Sequence, residues 1–166
     1  MAGRLEGKSA IVIGAARGIG EGIAERFAEE GAAVVIGDTE VDAGRSTAER
    51  LGAAFVETDI SDPAHAERIV AEAVSRHGGL DIIVQNAGIY PWTTIEATPP
   101  DEWDRVLAVN LKSTYLSARA ALPAMRARGG GRMIFTSSIT GPRVTSPGHG
   151  HYAASKAGIN GFIRSA

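Results

Sequence analysis

Five short runs of apolar, largely β-branched residues recur along the chain: SAIVIG at 9–14, AAVVIG at 32–37, AAFVET at 53–58, LDIIVQ at 80–85 and RMIFTS at 132–137. Continuous apolar runs closed by turn residues fit strands covered on both faces, as in a parallel sheet. Between them the pattern predicts helices at roughly 18–30, 42–51, 62–77 and 101–128. Strand alternating with helix predicts an α/β protein: a doubly wound parallel sheet in three layers, α/β/α, with right-handed crossovers. Ser61, Asp62 and Pro63 supply a cap and first turn for the third helix, and Gly78-Gly79 ends it. Thr98 is expected to cap the fourth, with Pro100, Asp101 and Glu102 in a first turn where the helix dipole favours negative charge. Gly129, Gly130 and Gly131 then release the chain into the fifth strand.

Composition narrows the class without changing the architecture. A chain of 166 residues is long enough for one substantial core and is expected to form a single domain, 1–166. Hydrophobic residues at 44%, charged residues at 22% and a net charge of -2 give no electrostatic case for a nucleic-acid or membrane partner. With no cysteine, disulfides, thiolate metal sites and cysteine nucleophiles are excluded, and no metal site is expected. MAGRLEGKSAIVIG lacks a secretory h-region and cleavage site, and no segment approaches the ~20 apolar residues that span a bilayer, so a cytoplasmic chain is expected.

Candidate chemistry begins directly after the first strand. In IVIGAARGIGEGIA, Gly14, Gly18 and Gly20 fall between that strand and the first helix, where glycines let the backbone turn tightly and approach a pyrophosphate at a helix N-terminus. A tight strand-to-helix turn alone would need similar residues. The second strand ends VVIGDTE, placing Asp38 where a carboxylate can accept hydrogen bonds from both adenosine ribose hydroxyls and repel a 2′-phosphate. Asp38 therefore favours NAD over NADP, whereas Arg17 beside the glycines points the other way.

Further marks follow in order: Asp59 after the third strand, QNAG at 85–88, Asn110, SS at 137–138 and YAASK at 152–156. With GAARGIG at 14–20, from about Lys8 onward, the sequence resembles the short-chain dehydrogenase/reductases, which have a Rossmann-type fold. The branch it most resembles includes 3-oxoacyl-carrier-protein reductases and NAD-dependent alcohol and sugar dehydrogenases. The resemblance implies that Gly14, Arg17, Gly18, Ile19 and Gly20 line the pyrophosphate, Asp38 the ribose, and Asp59 with Ile60 the adenine. Asn86, Ala87 and Gly88 would run past the nicotinamide-side ribose. Asn110, Ser138, Tyr152 and Lys156 match the family's catalytic tetrad, with Tyr152 and Lys156 also touching the cofactor. A homotetramer or dimer packed through the fourth and terminal helices is implied as well.

The chemistry explains the residue types. Reducing a ketone develops negative charge on oxygen, which a positioned tyrosine can meet with a proton. Phenol ordinarily ionises near pH 10, and an ammonium one helical turn on favours the phenolate. Ser138 would orient the substrate oxygen at the carboxyl edge of the sheet, and Asn110 would hold a water beside Lys156 in a proton relay. His149 and His151, at i and i+2 in GHGHY, lack an accompanying ligand set and are expected in a loop. Tyr90 and Trp92 either border substrate or pack their loop, and Arg143 is expected to be solvated.

Three departures from the family pattern stand out. Ile13 replaces a common threonine, Gln85 replaces the first asparagine of Asn-Asn-Ala-Gly, and the segment from Ser138 to Tyr152 is one residue longer than in many members. The family also continues beyond the catalytic helix, so the chain is expected to be the N-terminal part of an NAD(P)-dependent dehydrogenase. The alternative is a short dinucleotide-binding or assembly module without turnover.

Overall fold

The computed structural model describes residues 3–165. Met1, Ala2 and Ala166, which the 1–166 domain assignment takes in, lie outside the described residues. Five strands form, each within or close to its predicted run: β1 (Ser9–Ile13), β2 (Ala33–Asp38), β3 (Ala54–Glu57), β4 (Ile82–Gln85) and β5 (Arg132–Phe135). They make one wholly parallel sheet in the order β3-β2-β1-β4-β5. Along β1 the side chains divide between two cores with a period of two. Ile11 and Ile13 join Val35, Ile69, Leu80 and Ile83 on one face. Ala10 and Val12 join Val34, Ile36, Ile82 and Val84 on the other.

Helices cover both faces. α1 (Gly18–Glu29) and α2 (Val41–Leu51) bring Ala24 and Ala48 to one core. α3 (Pro63–His77) and α5 (Ser113–Ala127) bring Ile69, Val70, Leu116 and Met125 to the other. The chain is thus a three-layer, doubly wound α/β fold. Asp62 caps α3 as expected, accepting the Ala64 N–H at 2.8 Å ahead of Pro63, and Gly78 ends it with φ +73°.

Two boundaries differ from expectation. Pro99, not Thr98, precedes α4 (Pro100–Leu107), and the Thr98 hydroxyl instead donates to the carbonyls of Thr93 and Thr94 in the loop behind it. The helix expected at 101–128 is broken into α4 and α5 by a π turn at Ala108–Lys112. Single π turns of this kind insert one residue into the helical repeat and concentrate at functional sites. α6 (Gly150–Ile163) packs against α4 and the π turn. Because β1 leads to β2 on one side and β4 lies on its other, the connections reverse direction at β1. The carboxyl ends beside such a reversal leave a crevice.

Candidate active site

The glycines build one wall of that crevice. Gly14 leaves β1 with φ +77°, and a Cβ there would lie 2.6 Å from the Ala87 nitrogen. Any side chain is therefore refused on both backbone and steric grounds. A Cβ at Gly20 would collide with the Gly14 carbonyl. At Gly18 nothing lies within 4 Å of an added Cβ, and no side chain caps the N-terminus of α1. An uncapped first turn carries free N–H donors and a positive dipole end, the fit for a phosphate group. Ile19 is exposed, and the Arg17 guanidinium pairs with Glu40.

Asp38 closes β2 with its carboxylate held in place. Oδ2 accepts the Ala16 N–H at 2.9 Å and Oδ1 the Glu40 N–H at 3.1 Å. Asp59 is fixed by Ser61, whose hydroxyl and N–H donate to Oδ1 at 2.7 and 3.0 Å. The hydroxyl bond chiefly holds the Asp59 carboxyl below the usual range, against the opposing effect of partial burial. Ile60 buries its side chain in the core while lining the crevice. The crevice encloses about 560 Å³ and runs from Gly14, Arg17, Asp38 and Asp59 to Gly88, Ile89, Ala108 and Val109. That volume suits a ligand of cofactor size.

Its far end, at Gly88, adjoins Asn110 and Lys156 of the predicted tetrad. Asn86 stitches three strand ends together, donating to the Gly14 carbonyl at 3.3 Å and accepting from the Thr136 hydroxyl at 3.1 Å. A Cβ on Gly88 would stand 3.3 Å from Asn110 Oδ1 and 3.6 Å from Lys156 Nζ, so all three share one corner. Lys156 is buried, donates to the Thr136 carbonyl at 2.6 Å and lies 5.6 Å from the centre of the Tyr152 ring. Burial pushes its pKa below the ordinary lysine value. Asn110, within the π turn, bonds the backbone of Ile89 on both sides and donates to Ser155 Oγ at 3.1 Å. Ser155 in turn donates to the Tyr152 carbonyl at 2.7 Å.

Asn110, Tyr152 and Lys156 are thus brought together, but with two differences from expectation. The side-chain amide of Asn110 is taken up by the Ile89 backbone and the Ser155 hydroxyl. The Ser138 hydroxyl accepts the Thr140 N–H at 3.0 Å within its own loop, while Ser137 makes the link to α6 through the Lys156 carbonyl at 3.1 Å. His151 is not a loop residue: it is 1% exposed in the first turn of α6. His149 precedes that helix and stacks edge-on to Trp92 at 4.2 Å between ring centres. Tyr90 lies edge-on to Tyr152 at 6.3 Å, so the loop after β4 borders the tyrosine. Arg143 is exposed. Gln85 keeps an amide at its buried position and donates to Ser113. The sequence patterns assigned no role to Thr136, Ser155 or Ile89, each of which bonds a backbone group or a partner distant in the chain.

Residues 8–166 match the family model described as short chain dehydrogenase. The chain belongs to the short-chain dehydrogenase family. Its sequence is 41% identical to a 3-alpha-(or 20-beta)-hydroxysteroid dehydrogenase of Mycobacterium tuberculosis, over 99% of this chain and 64% of that protein. It is 38% identical to a sorbitol dehydrogenase of Cereibacter sphaeroides, over 98% of this chain and 64% of that protein. The crystal structure of a short chain dehydrogenase from Mycobacterium smegmatis superposes with a TM-score of 0.93 at 32% identity, covering 99% of this chain and 72% of that one. This short-chain dehydrogenase chain thus spans about 64% of the length of the curated relatives it matches. The family is one of oxidoreductases that use NAD(P). Among the described residues, no helix is long and apolar enough to cross a membrane.

Proposed function

We propose that residues 1–166 form one dinucleotide-binding unit carrying the proton-transfer half of an NAD(H)-dependent oxidoreductase for secondary alcohols and their ketones. The observation that carries this reading is the buried Lys156 ammonium, 5.6 Å from the Tyr152 ring, at the corner where the crevice meets Gly88 and Asn110. Gly14, Arg17, Gly18, Ile19 and Gly20 would hold the pyrophosphate, Asp38 the adenosine ribose, Asp59 and Ile60 the adenine, and Asn86, Ala87 and Gly88 the nicotinamide ribose. Bound nicotinamide supplies hydride chemistry.

The chain's own groups would manage the proton. Tyr152 would give its phenolic proton to the alkoxide oxygen in reduction and take it back in oxidation. Lys156 would favour the phenolate and reach the cofactor ribose. Ser138 would turn from Thr140 to the substrate oxygen, and Asn110 would keep its water through the one Oδ1 lone pair that Ile89 leaves over. Asp38 and Glu40 set two carboxylates where a 2′-phosphate would lie, which supports NAD over NADP despite Arg17, already paired with Glu40. The names of the two relatives, a steroid and a polyol dehydrogenase, support an alcohol substrate; a 3-oxoacyl ketone suits the same chemistry. A homotetramer or dimer through α4, α5 and α6, in the cytoplasm, completes the reading.

The test is titration of the purified protein with NADH and NADPH, followed by assay against a panel of ketones and alcohols. Tighter binding of NADH and turnover of a secondary alcohol are expected. Binding without turnover would favour the dinucleotide-binding module, and no binding of either nucleotide would sink both readings.

A further inference from the structure

His151 is a fully buried titratable side chain that the reaction above does not use. Its Nδ1 accepts the N–H of Tyr152 at 2.8 Å. A backbone N–H can only donate, so Nδ1 presents a lone pair and the ring proton sits on Nε2. Nε2 lies 3.2 Å from Glu102 Oε1, in the first turn of α4. The imidazole therefore donates to the carboxylate at one end while it accepts from the tyrosine backbone at the other.

The position of this bridge gives it meaning. Tyr152 is in the first turn of α6, where N–H groups have no partner within the helix. His149, which precedes the helix, makes no side-chain cap bond; its Nδ1 is engaged with Ser146 Oγ at 3.1 Å. His151 supplies the missing acceptor and ties that turn to α4, with the Trp103 ring 6.5 Å from its own.

We infer that His151 and Glu102 are a positioning pair that fixes the backbone of Tyr152, and with it the phenol, relative to α4 and the π turn. This inference rests on the functional reading above for its catalytic consequence, though not for the clamp itself. Freed of the clamp, the first turn of α6 would let the phenol drift, and misplacement on the ångström scale costs rate far more than ground-state binding.

Two substitutions divide the imidazole. His151→Asn keeps an acceptor at the δ position for Tyr152 and gives up Glu102, whereas His151→Gln keeps a donor at the ε position for Glu102 and gives up Tyr152. Amide hydrogen exchange at Tyr152 should stay slow in wild type and His151→Asn and speed up in His151→Gln and His151→Ala; equal exchange in all four would overturn the clamp. In turnover, His151→Ala should lose about tenfold in kcat with NADH affinity held within about twofold; His151→Asn, which keeps the bond to Tyr152, should recover part of the loss and His151→Gln should not. Should His151→Ala fail to fold, Glu102→Ala removes the partner from a partly solvated site, and an unchanged kcat there overturns the inference. A wild-type protein that turns over nothing would sink the functional reading, while the exchange pattern would still decide the clamp.

Discussion

Asn110 grips Ile89 by both of that residue's backbone polar groups: Oδ1 accepts the Ile89 N–H at 2.8 Å, and Nδ2 donates to the Ile89 carbonyl at 2.9 Å. Asn110 is 1% exposed, so these bonds lie away from water. Replacing it by aspartate keeps the acceptor but sets a carboxylate oxygen against the Ile89 carbonyl and Ser155. Asn110→Asp should destabilise the fold by about 2 kcal/mol, the cost of a buried polar group left opposed, as read from urea unfolding. A midpoint equal to wild type would show that this grip contributes nothing.

Tyr152→Phe removes one oxygen from a partly buried ring and leaves the contacts of Tyr90 and His149 with that ring available. Turnover should fall at least ~10²-fold, the usual contribution of a positioned acid or base, with NADH affinity within about threefold. Unchanged turnover would refute the proton-transfer role.

Lys156→Met separates charge from packing. The ammonium is buried and its pKa is lowered by that burial from 10.5, so the unfolded chain holds the proton more tightly than the folded one. Wild-type stability relative to Lys156→Met should therefore climb as pH rises from the lowered folded value towards 10.5. The variant should be inactive throughout. A stability difference that does not vary with alkaline pH would contradict the burial penalty.

Asp38→Ser should reverse the nucleotide preference. Removing this carboxylate would take away the acceptor proposed for the ribose hydroxyls and the charge proposed to face a 2′-phosphate, while Glu40 remains beside Arg17. A shift of about tenfold or more in the ratio of NADH to NADPH dissociation constants is expected, equivalent to ~1.4 kcal/mol. Fluorescence titration of both nucleotides measures it, and an unaltered ratio would move the discrimination elsewhere.

Gly14→Ala should lose nucleotide binding and stability together, because its φ of +77° and the Ala87 backbone both refuse a Cβ. A cost of roughly 1–3 kcal/mol is expected from the conformation alone. Thermal unfolding and NADH titration of the same sample would expose any variant in which the two effects separate.

The strands and layers were legible because β1, β2 and β4 are buried on both faces, and an unbroken apolar run is the sequence form of that burial. Asp62, Pro63 and Gly78 announced α3 because caps act over neighbouring residues. What escaped notice depends on partners far along the chain. The π turn satisfies Ile89, 21 residues before Asn110, and His151 is buried by a bond to Glu102, 49 residues away. Thr98 failed as a cap because two carbonyls in the preceding loop claimed its hydroxyl. The family resemblance singled out Asn110, Ser138, Tyr152 and Lys156, but the serine that reaches α6 is Ser137, and no spacing rule distinguishes it from its neighbour.

The π turn at Ala108–Lys112 also sets the phase of everything that follows it. Each α-helical residue advances the helix by about 100° and ~1.5 Å. Deleting one residue there would leave a straighter, more regular helix and yet carry Leu116, Ala121 and Met125 away from the sheet they bury against. The irregular turn is a spacer whose length is fixed by the core beyond it, so apart from Asn110 this stretch should tolerate substitution more readily than any change in residue number.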